Sequence, residues 1–207
     1  MRLPGGASLR IPTATLAHAI AAEWDAAGAN MTYADVPLTR IAGTSQERVA
    51  PAAGAVAIEL ACYGESDLLC YRAPDSPELA AAEAAAWDVW LDWAATTYGA
   101  RLVVGYGIVH VPQPPEALVA LAGAVARGEA ATLAGLGIIV PALGSLVLGL
   151  AVAAEAITPE DAHATSVLDE LYQAALWGED EAAADARAAV ARDVADAARY
   201  IRLSRAA

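Results

Sequence analysis

Histidine and cysteine are the residues whose chemistry is easiest to recognise from spacing, and their positions here exclude most of it. The three histidines, His18, His110 and His163, lie far apart, and no two have the separation of metal ligands on one helix. Cys62 and Cys70 alone cannot build a four-ligand zinc site or a disulfide scaffold. We therefore predict no metal centre and interpret both cysteines as buried free thiols in a reducing compartment.

The sequence also lacks the motifs of nucleophilic and nucleotide-dependent enzymes. Ser145 stands in Leu-Gly-Ser-Leu, which does not have the glycine spacing of a nucleophile elbow. The pairs Gly105/Gly107 and Gly135/Gly137 lack the third glycine of a dinucleotide-binding loop. All 12 basic residues are arginine, so no lysine is present for a phosphate-binding loop or a Schiff base. These patterns predict neither catalysis nor a cofactor.

Acidic side chains are the remaining chemical feature, and they concentrate near the C-terminus. Residues 161–196 hold nine Asp and Glu against two Arg, which is more than half of the net charge of −13. One interpretation is a solvated face that includes acids beside a positive helix end. The other interpretation is an acidic surface that meets a basic patch on a partner protein.

The overall composition limits the class of protein. A chain with this excess of acid has little with which to build the basic face that nucleic acids or anionic membranes require, so we expect neither partner. Alanine supplies 56 of 207 residues and is the best helix former, which favours a mostly helical fold. Helix-start, helix-stop and periodicity signals predict helices over 13–27, 37–48, 51–61, 76–98, 114–127, 133–152, 158–177 and 180–203. Alternating apolar residues predict strands over 9–11 and 101–111.

The 25 uncharged residues 130–154 allow two interpretations. Their length is sufficient to cross a bilayer. Their glycines, their acidic flanks and the absence of aromatic residues at either end favour instead a buried helix among amphipathic neighbours. We predict one central helix over 133–152, bent at Pro141, with no insertion into a membrane.

Four stretches carry a distinctive combination of residues. They are Leu16-Ala17 and Ala22 to Asp25 with Pro37-Leu38-Thr39; Asp67 to Arg72 with Trp87-Asp88 and Trp93-Ala94; Gly144-Ser145-Leu146 with Leu148; and Glu170, Tyr172-Gln173 and Trp177-Gly178 with Glu181. The combination resembles the ATP synthase F1 assembly chaperones that bind the alpha subunit, the ATP12-type family. The sequence departs from this family at Val89, where a proline is usual, and in the further N-terminal strands that the family usually has before its equivalent of residue 1.

The resemblance implies an α+β fold, mainly α, with a small N-terminal β-containing part over 1–34 and an orthogonal helical domain over 35–207. It implies a non-enzymatic chaperone without cofactors, which holds the unassembled F1 alpha subunit until the beta subunit replaces it. A monomer when free, in the bacterial cytoplasm, is the corresponding expectation, because the sequence shows no organelle-targeting leader.

The resemblance also implies where the partner binds. The family's functional acid after Trp-Gly corresponds to Glu181, and the adjacent candidates are Asp180, Glu179 and Trp177. Trp93, which lies off the apolar stripe of its helix, and Trp24 are the other candidates. Unlike Trp93, Trp24 lies on the apolar stripe of its helix, and that position favours a role as a core residue.

Two further classes of function remain open from the residues alone. The uncharged run 130–154 is compatible with a small membrane-associated helical protein. The acids near Glu179–Glu181 are compatible with a helical enzyme that has a carboxylate site.

Overall fold

Helices dominate the structure, a computed structural model that describes residues 1–28 and 30–205. The described chain forms ten α-helices, and two strands, β1 and β2, pair in parallel. This arrangement confirms the predicted mainly helical α+β class. The helices are α1 (Ala14–Ala26), α2 (Pro37–Thr44), α3 (Ala53–Ala61), α4 (Pro77–Tyr98), α5 (Pro115–Ala126), α6 (Ala130–Leu143), α7 (Leu146–Ala153), α8 (Pro159–Ser166), α9 (Leu168–Trp177) and α10 (Glu181–Arg205), and the strands are β1 (Tyr71–Arg72) and β2 (Gly105–Tyr106).

The helix-start signals of the sequence act as predicted. The Thr13 side chain accepts a hydrogen bond from the Leu16 N–H at 3.1 Å and caps α1. The Ser76 side chain accepts one from the Leu79 N–H at 3.2 Å, and α4 ends at a left-handed Gly99 with φ of 76°. Because these caps satisfy otherwise unpaired backbone N–H groups, they fix the two helix boundaries within the chain.

The centre of the fold is built from α6 and α7, and every residue of α7 is buried. The long helix α10 packs against α6. Its apolar spacing predicts a stripe of Val190, Val194, Ala197 and Ile201, of which the last three are buried and Val190 is half-buried. Gly135 permits this close packing, because a Cβ there would overlap the side chain of Ile201.

The prediction of one helix over 133–152, bent at Pro141, is wrong. Pro141 lies within α6, and the chain breaks at Gly144, which has φ of 62°. The Ser145 side chain then caps α7 by accepting a hydrogen bond from the Leu148 N–H at 3.0 Å. The uncharged run therefore forms two short helices. Within residues 1–28 and 30–205, no helix is both long and apolar enough to cross a membrane.

Two other expected elements differ from the structure. The predicted helix over 158–177 is divided at Val167, whose φ and ψ of −100° and 16° lie outside helical values. The spacing of Ala164, Leu168, Leu171, Tyr172 and Ala175 predicts one shared apolar face, but Ala164, Leu171 and Ala175 are exposed. Of the strand predicted over 101–111, only β2 forms, and residues 9–11 form no strand.

The N-terminal residues contain little β structure. Arg2 and Ser8 form an isolated antiparallel bridge, and the remaining described part of 1–34 consists of α1, a 3₁₀ turn at Tyr33–Asp35 and loops. The paired strands β1 and β2 lie further along the chain. The division into 1–34 and 35–207 stays a prediction.

Candidate partner-binding surface

The first of the four stretches connects α1 to α2. The two oxygens of the Glu23 carboxylate accept hydrogen bonds from the N–H groups of Leu38 at 2.7 Å and Thr39 at 3.2 Å. Val36, the residue before α2, has no side chain that could cap it, so Glu23 supplies the cap from another helix. The Trp24 indole N–H donates to the Thr39 hydroxyl at 3.0 Å.

The second and third stretches meet at a buried carboxyl group. One oxygen of Asp67 accepts a hydrogen bond from the Leu69 N–H at 3.1 Å, and the other accepts one from the Val147 N–H at 3.0 Å. The Leu68 N–H also donates to the Gly144 carbonyl at 3.0 Å. Burial raises the pKa of Asp67 to about 6, and these hydrogen bonds oppose that rise.

A buried arginine completes the second stretch. The Arg72 guanidinium donates to the Asp88 carboxylate at 2.6 Å and to the Leu69 carbonyl at 2.6 Å, and it lies 4.9 Å from the Trp87 ring centroid. The Trp87 indole N–H donates to the Thr165 carbonyl at 2.9 Å. These contacts connect β1, α4 and α8, so the residues of this stretch act in folding.

The fourth stretch is different, because it lies on the surface. No residue of α9 is buried. Trp177 is 79% exposed, and Leu171 and Leu176 on the same helix are exposed as well. A large indole held in solvent is unusual for a residue that serves only folding, and exposed apolar groups beside polar ones are typical of a binding surface.

The three acids after Trp177 have separate roles. The Asp180 carboxylate accepts a hydrogen bond from the Ala183 N–H at 2.9 Å and caps α10. Glu179 forms an ion pair with Arg187, which also lies 3.8 Å from a Glu170 oxygen. Glu181 begins α10 and is exposed, and its carboxylate has no hydrogen bond or ion pair to any described residue.

These exposed residues lie on α9, in the loop after it and at the first residue of α10, and we call the group the α9–α10 corner. Gly178, with φ of 96°, ends α9 and brings the chain to the start of α10, so the apolar and acidic side chains occupy adjacent positions. The Arg187 guanidinium joins the acid on α9 to the acid in the connecting loop. The corner consists of Leu171, Leu176, Trp177, Glu179, Asp180 and Glu181.

Trp24 and Trp93 belong to other helices than the α9–α10 corner, α1 and α4. Trp24 is exposed, so its interpretation as a core residue is wrong; the indole packs at the surface and bonds to Thr39. Its neighbour Glu23 shares a cavity with Arg199, which is about 27 Å along α10 from Glu181 at the rise of an α-helix. Trp93 is half-buried and packs edge-to-face against Trp90 and Tyr98, with centroids 6.5 Å and 5.3 Å away.

The two cysteines differ in exposure. Cys62 is exposed, so the prediction that both thiols are buried holds only for Cys70. Burial raises the pKa of Cys70 to about 12, which keeps that thiol protonated and unreactive. In the described part of the chain, no three His, Cys, Asp or Glu side chains are placed to hold a metal ion.

Sequence patterns did not identify two residues of this region. Leu171 lies at helical spacing from Leu168, which predicts a shared apolar face, yet the Leu171 side chain is exposed. Arg187 contacts Glu170 and Glu179, which lie eight residues or more before it in the sequence. The fold brings these three side chains together, so the sequence spacing does not predict the contact. The sequence feature that could have drawn attention to Arg187 is that it is one of only two arginines in the acidic residues 161–196.

Comparison with known proteins gives consistent matches. The ATP12 chaperone protein family matches residues 1–95. Atp12 from Paracoccus denitrificans is 42% identical, with a TM-score of 0.95 over 99% of this chain and 88% of that chain. A variant of the Paracoccus protein with one aspartate replaced by lysine matches equally well. A protein of Agrobacterium tumefaciens described as a chaperone is 35% identical, with a TM-score of 0.89 over 97% of this chain and 75% of that chain.

Proposed function

The chain belongs to the ATP12 chaperone family, and we propose that it holds the unassembled alpha subunit of the ATP synthase F1 sector until the beta subunit replaces it. Family membership makes it a chaperone in ATP synthase assembly that interacts with F1 components, and not an enzyme. The alpha subunit as the partner, the monomeric free state and the bacterial cytoplasm as its location are parts of the proposal.

The observation that supports the proposal is the exposed α9–α10 corner. A subunit of an obligate ring exposes a large apolar interface while it is alone, and such surfaces aggregate. The corner presents Leu176 and Trp177, which can cover apolar surface on such a subunit. Glu23, Asp67 and Arg72 in the first and second stretches form hydrogen bonds within the fold. The exposed side chains of the fourth stretch are available to a partner.

The acids beside these apolar residues suit a contact that must later be released. Glu181 has no ion pair to a described residue, so its carboxylate is available to an arginine or lysine of the alpha subunit. Charges at the solvent-exposed rim of an interface mainly steer association and select the partner, and they add little to tight binding. The proposed holding contact is therefore specific and readily exchanged when the beta subunit arrives.

Co-expression with single F1 subunits tests the proposal. We expect the alpha subunit to remain in the supernatant with the chaperone, and the two to co-elute in size exclusion as one species. The beta subunit expressed alone with the chaperone is the control and should gain no solubility. Adding beta to the purified complex should release free chaperone. An alpha subunit that pellets equally with and without the chaperone would contradict the proposal.

A further inference from the structure

A second exposed apolar feature lies far from the acidic segment in sequence, in the loop between α4 and α5. Ile108 is fully exposed, and Tyr106 and Val109 beside it are mostly exposed. We call these three residues the apolar tip. Residues 102–115 contain no Asp, Glu or Arg, although the whole chain has a net charge of −13. Single exposed apolar residues are common, but three within four positions of an uncharged segment form a cluster.

The base of this loop is fixed by a side-chain clamp. Gln113 is buried, and its amide oxygen accepts a hydrogen bond from the Val103 N–H at 2.8 Å. Its amide nitrogen donates to the Val103 carbonyl at 3.0 Å. The two bonds reproduce the pairing of a neighbouring strand and join the two sides of the loop.

The side of the loop that leads into the apolar tip is anchored to the core. Strand β2 pairs with β1, and the Gly107 N–H donates to the Arg72 carbonyl at 2.8 Å. Gly105 packs so closely on Val111 that a Cβ there would overlap the valine side chain. Because the Arg72 side chain is itself buried against Asp88 and Trp87, the apolar tip is held in place before any partner arrives.

We propose that the apolar tip is a second client contact, which inserts into an uncharged apolar surface of the F1 subunit that the α9–α10 corner holds. This inference rests on the proposed function. The occupant is assigned from charge: the loop holds no Asp, Glu or Arg to pair with a charged surface, His110 being its one basic side chain, and a charge covered by the apolar tip would lose water without compensation. The tip thus contacts an apolar, uncharged part of the client. The corner contacts a different part of the same client, which is apolar and carries basic groups.

The chain offers a matched pair of double variants for the test. Ile108→Ser with Val109→Ser removes the two aliphatic side chains of the tip and keeps Tyr106. Ile58→Ser with Val119→Ser removes an isoleucine and a valine from α3 and α5, where the two side chains are 69% and 71% exposed. Both variants should keep the wild-type melting temperature, because all four side chains lie in solvent. We expect the tip variant to bind the alpha subunit at least tenfold more weakly in a purified-component binding assay, and the control to bind like the wild type.

Two results would overturn the inference, and a third identifies failure at an earlier step. Equal affinity of the tip variant and the wild type would remove the tip from the interface. An equal loss in both double variants would assign the effect to exposed apolar side chains in general and not to the tip. A wild-type protein that holds no F1 subunit would overturn the proposed function itself, and with it the tip as a client contact.

Discussion

At the scale of single residues, Asp67 shows how a polar group can organise an apolar centre. Its carboxyl group is fully buried, and its oxygens accept hydrogen bonds from the N–H groups of Leu69 and Val147. The second of these N–H groups belongs to the first turn of α7, a helix whose residues are all buried. A buried aspartate in this position connects the loop before β1 to the centre of the fold.

The raised pKa of Asp67 predicts a pH dependence of stability. Because the pKa in the folded state is about 6 and the ordinary value is 3.8, the folded protein binds a proton between these values that the unfolded chain does not. The cost of burying the charge is therefore relieved as the pH falls through 6. We expect the free energy of unfolding of wild type, relative to Asp67→Asn, to rise by roughly 1 kcal/mol between pH 7 and pH 5.

Urea unfolding of both proteins at the two pH values measures this difference. The other titrating groups are present in both proteins, so their contributions to the free energy of unfolding cancel in the comparison. A difference that stays constant, or that falls as the pH is lowered, would show that Asp67 titrates as an ordinary carboxyl group.

The two cysteines should react differently with a thiol reagent. Cys62 is exposed, whereas burial keeps Cys70 protonated by raising its pKa to about 12. We expect one thiol to react in the native protein and the second only after denaturation. Cys62→Ser should remove the fast reaction and leave the slow one. Two thiols that react at the same native rate would contradict the placement of Cys70.

At the scale of elements, the glycine between α6 and α7 sets the break in the uncharged run. Gly144 has φ of 62°, a conformation that costs an L-residue roughly 1–2 kcal/mol. We expect Gly144→Ala to lower the free energy of unfolding by about that amount. The added Cβ would meet only the Leu68 Cβ at an ordinary 3.8 Å, so the loss measures backbone strain.

Gly137 provides the matched control for this substitution. It lies inside α6 with open space around the position of a Cβ and without a positive φ. Gly137→Ala should raise the free energy of unfolding by about 0.5–1 kcal/mol, because alanine favours the helix. Thermal or urea unfolding gives both values. The same sign of change in the two variants would contradict the assigned break at Gly144.

Sequence patterns predict the elements where the signal is local. The cap at Ser76 and the stop at Gly99 depend on neighbouring residues only, so the bounds of α4 agree with the prediction. The turn at Val167 has no such signal, because neither proline nor glycine marks it. Apolar periodicity over 158–177 assumes one continuous helix, so it does not predict that Leu171 and Ala175 of α9 are exposed.

The candidate site was predictable in part for the same reason. Trp177, Gly178 and Glu181 follow one another closely, so a motif in the sequence places them together. The distances of Trp24 and Trp93 from that motif depend on how α1 and α4 pack, which no local spacing encodes. The contact of Arg187 with Glu170 and Glu179 depends on the angle between α9 and α10, and the same limitation applies to it.

At the scale of the whole molecule, buried and half-buried polar side chains stabilise the fold, and the α9–α10 corner and the apolar tip are exposed on it. Glu23, Asp67 and Arg72 satisfy helix ends and backbone groups inside the fold. The α9–α10 corner and the apolar tip bury little of their own apolar surface. A holding chaperone needs this division, because a rigid scaffold keeps the binding groups placed and leaves them free for the client.

The most direct test of this account measures holding of the alpha subunit by three variants of the full chain. Trp177→Ser and Glu181→Gln alter the α9–α10 corner, and Asp193→Asn alters an acid of the same segment whose ion pair, among the described residues, is with Arg40 at the surface. We predict that the two corner variants keep the wild-type melting temperature and lose solubilisation of the alpha subunit, by about tenfold for Trp177→Ser, while Asp193→Asn holds it like the wild type. Equal holding by all three variants, or a large loss of thermal stability in the corner variants, would contradict the assignment of the corner as the client-binding surface.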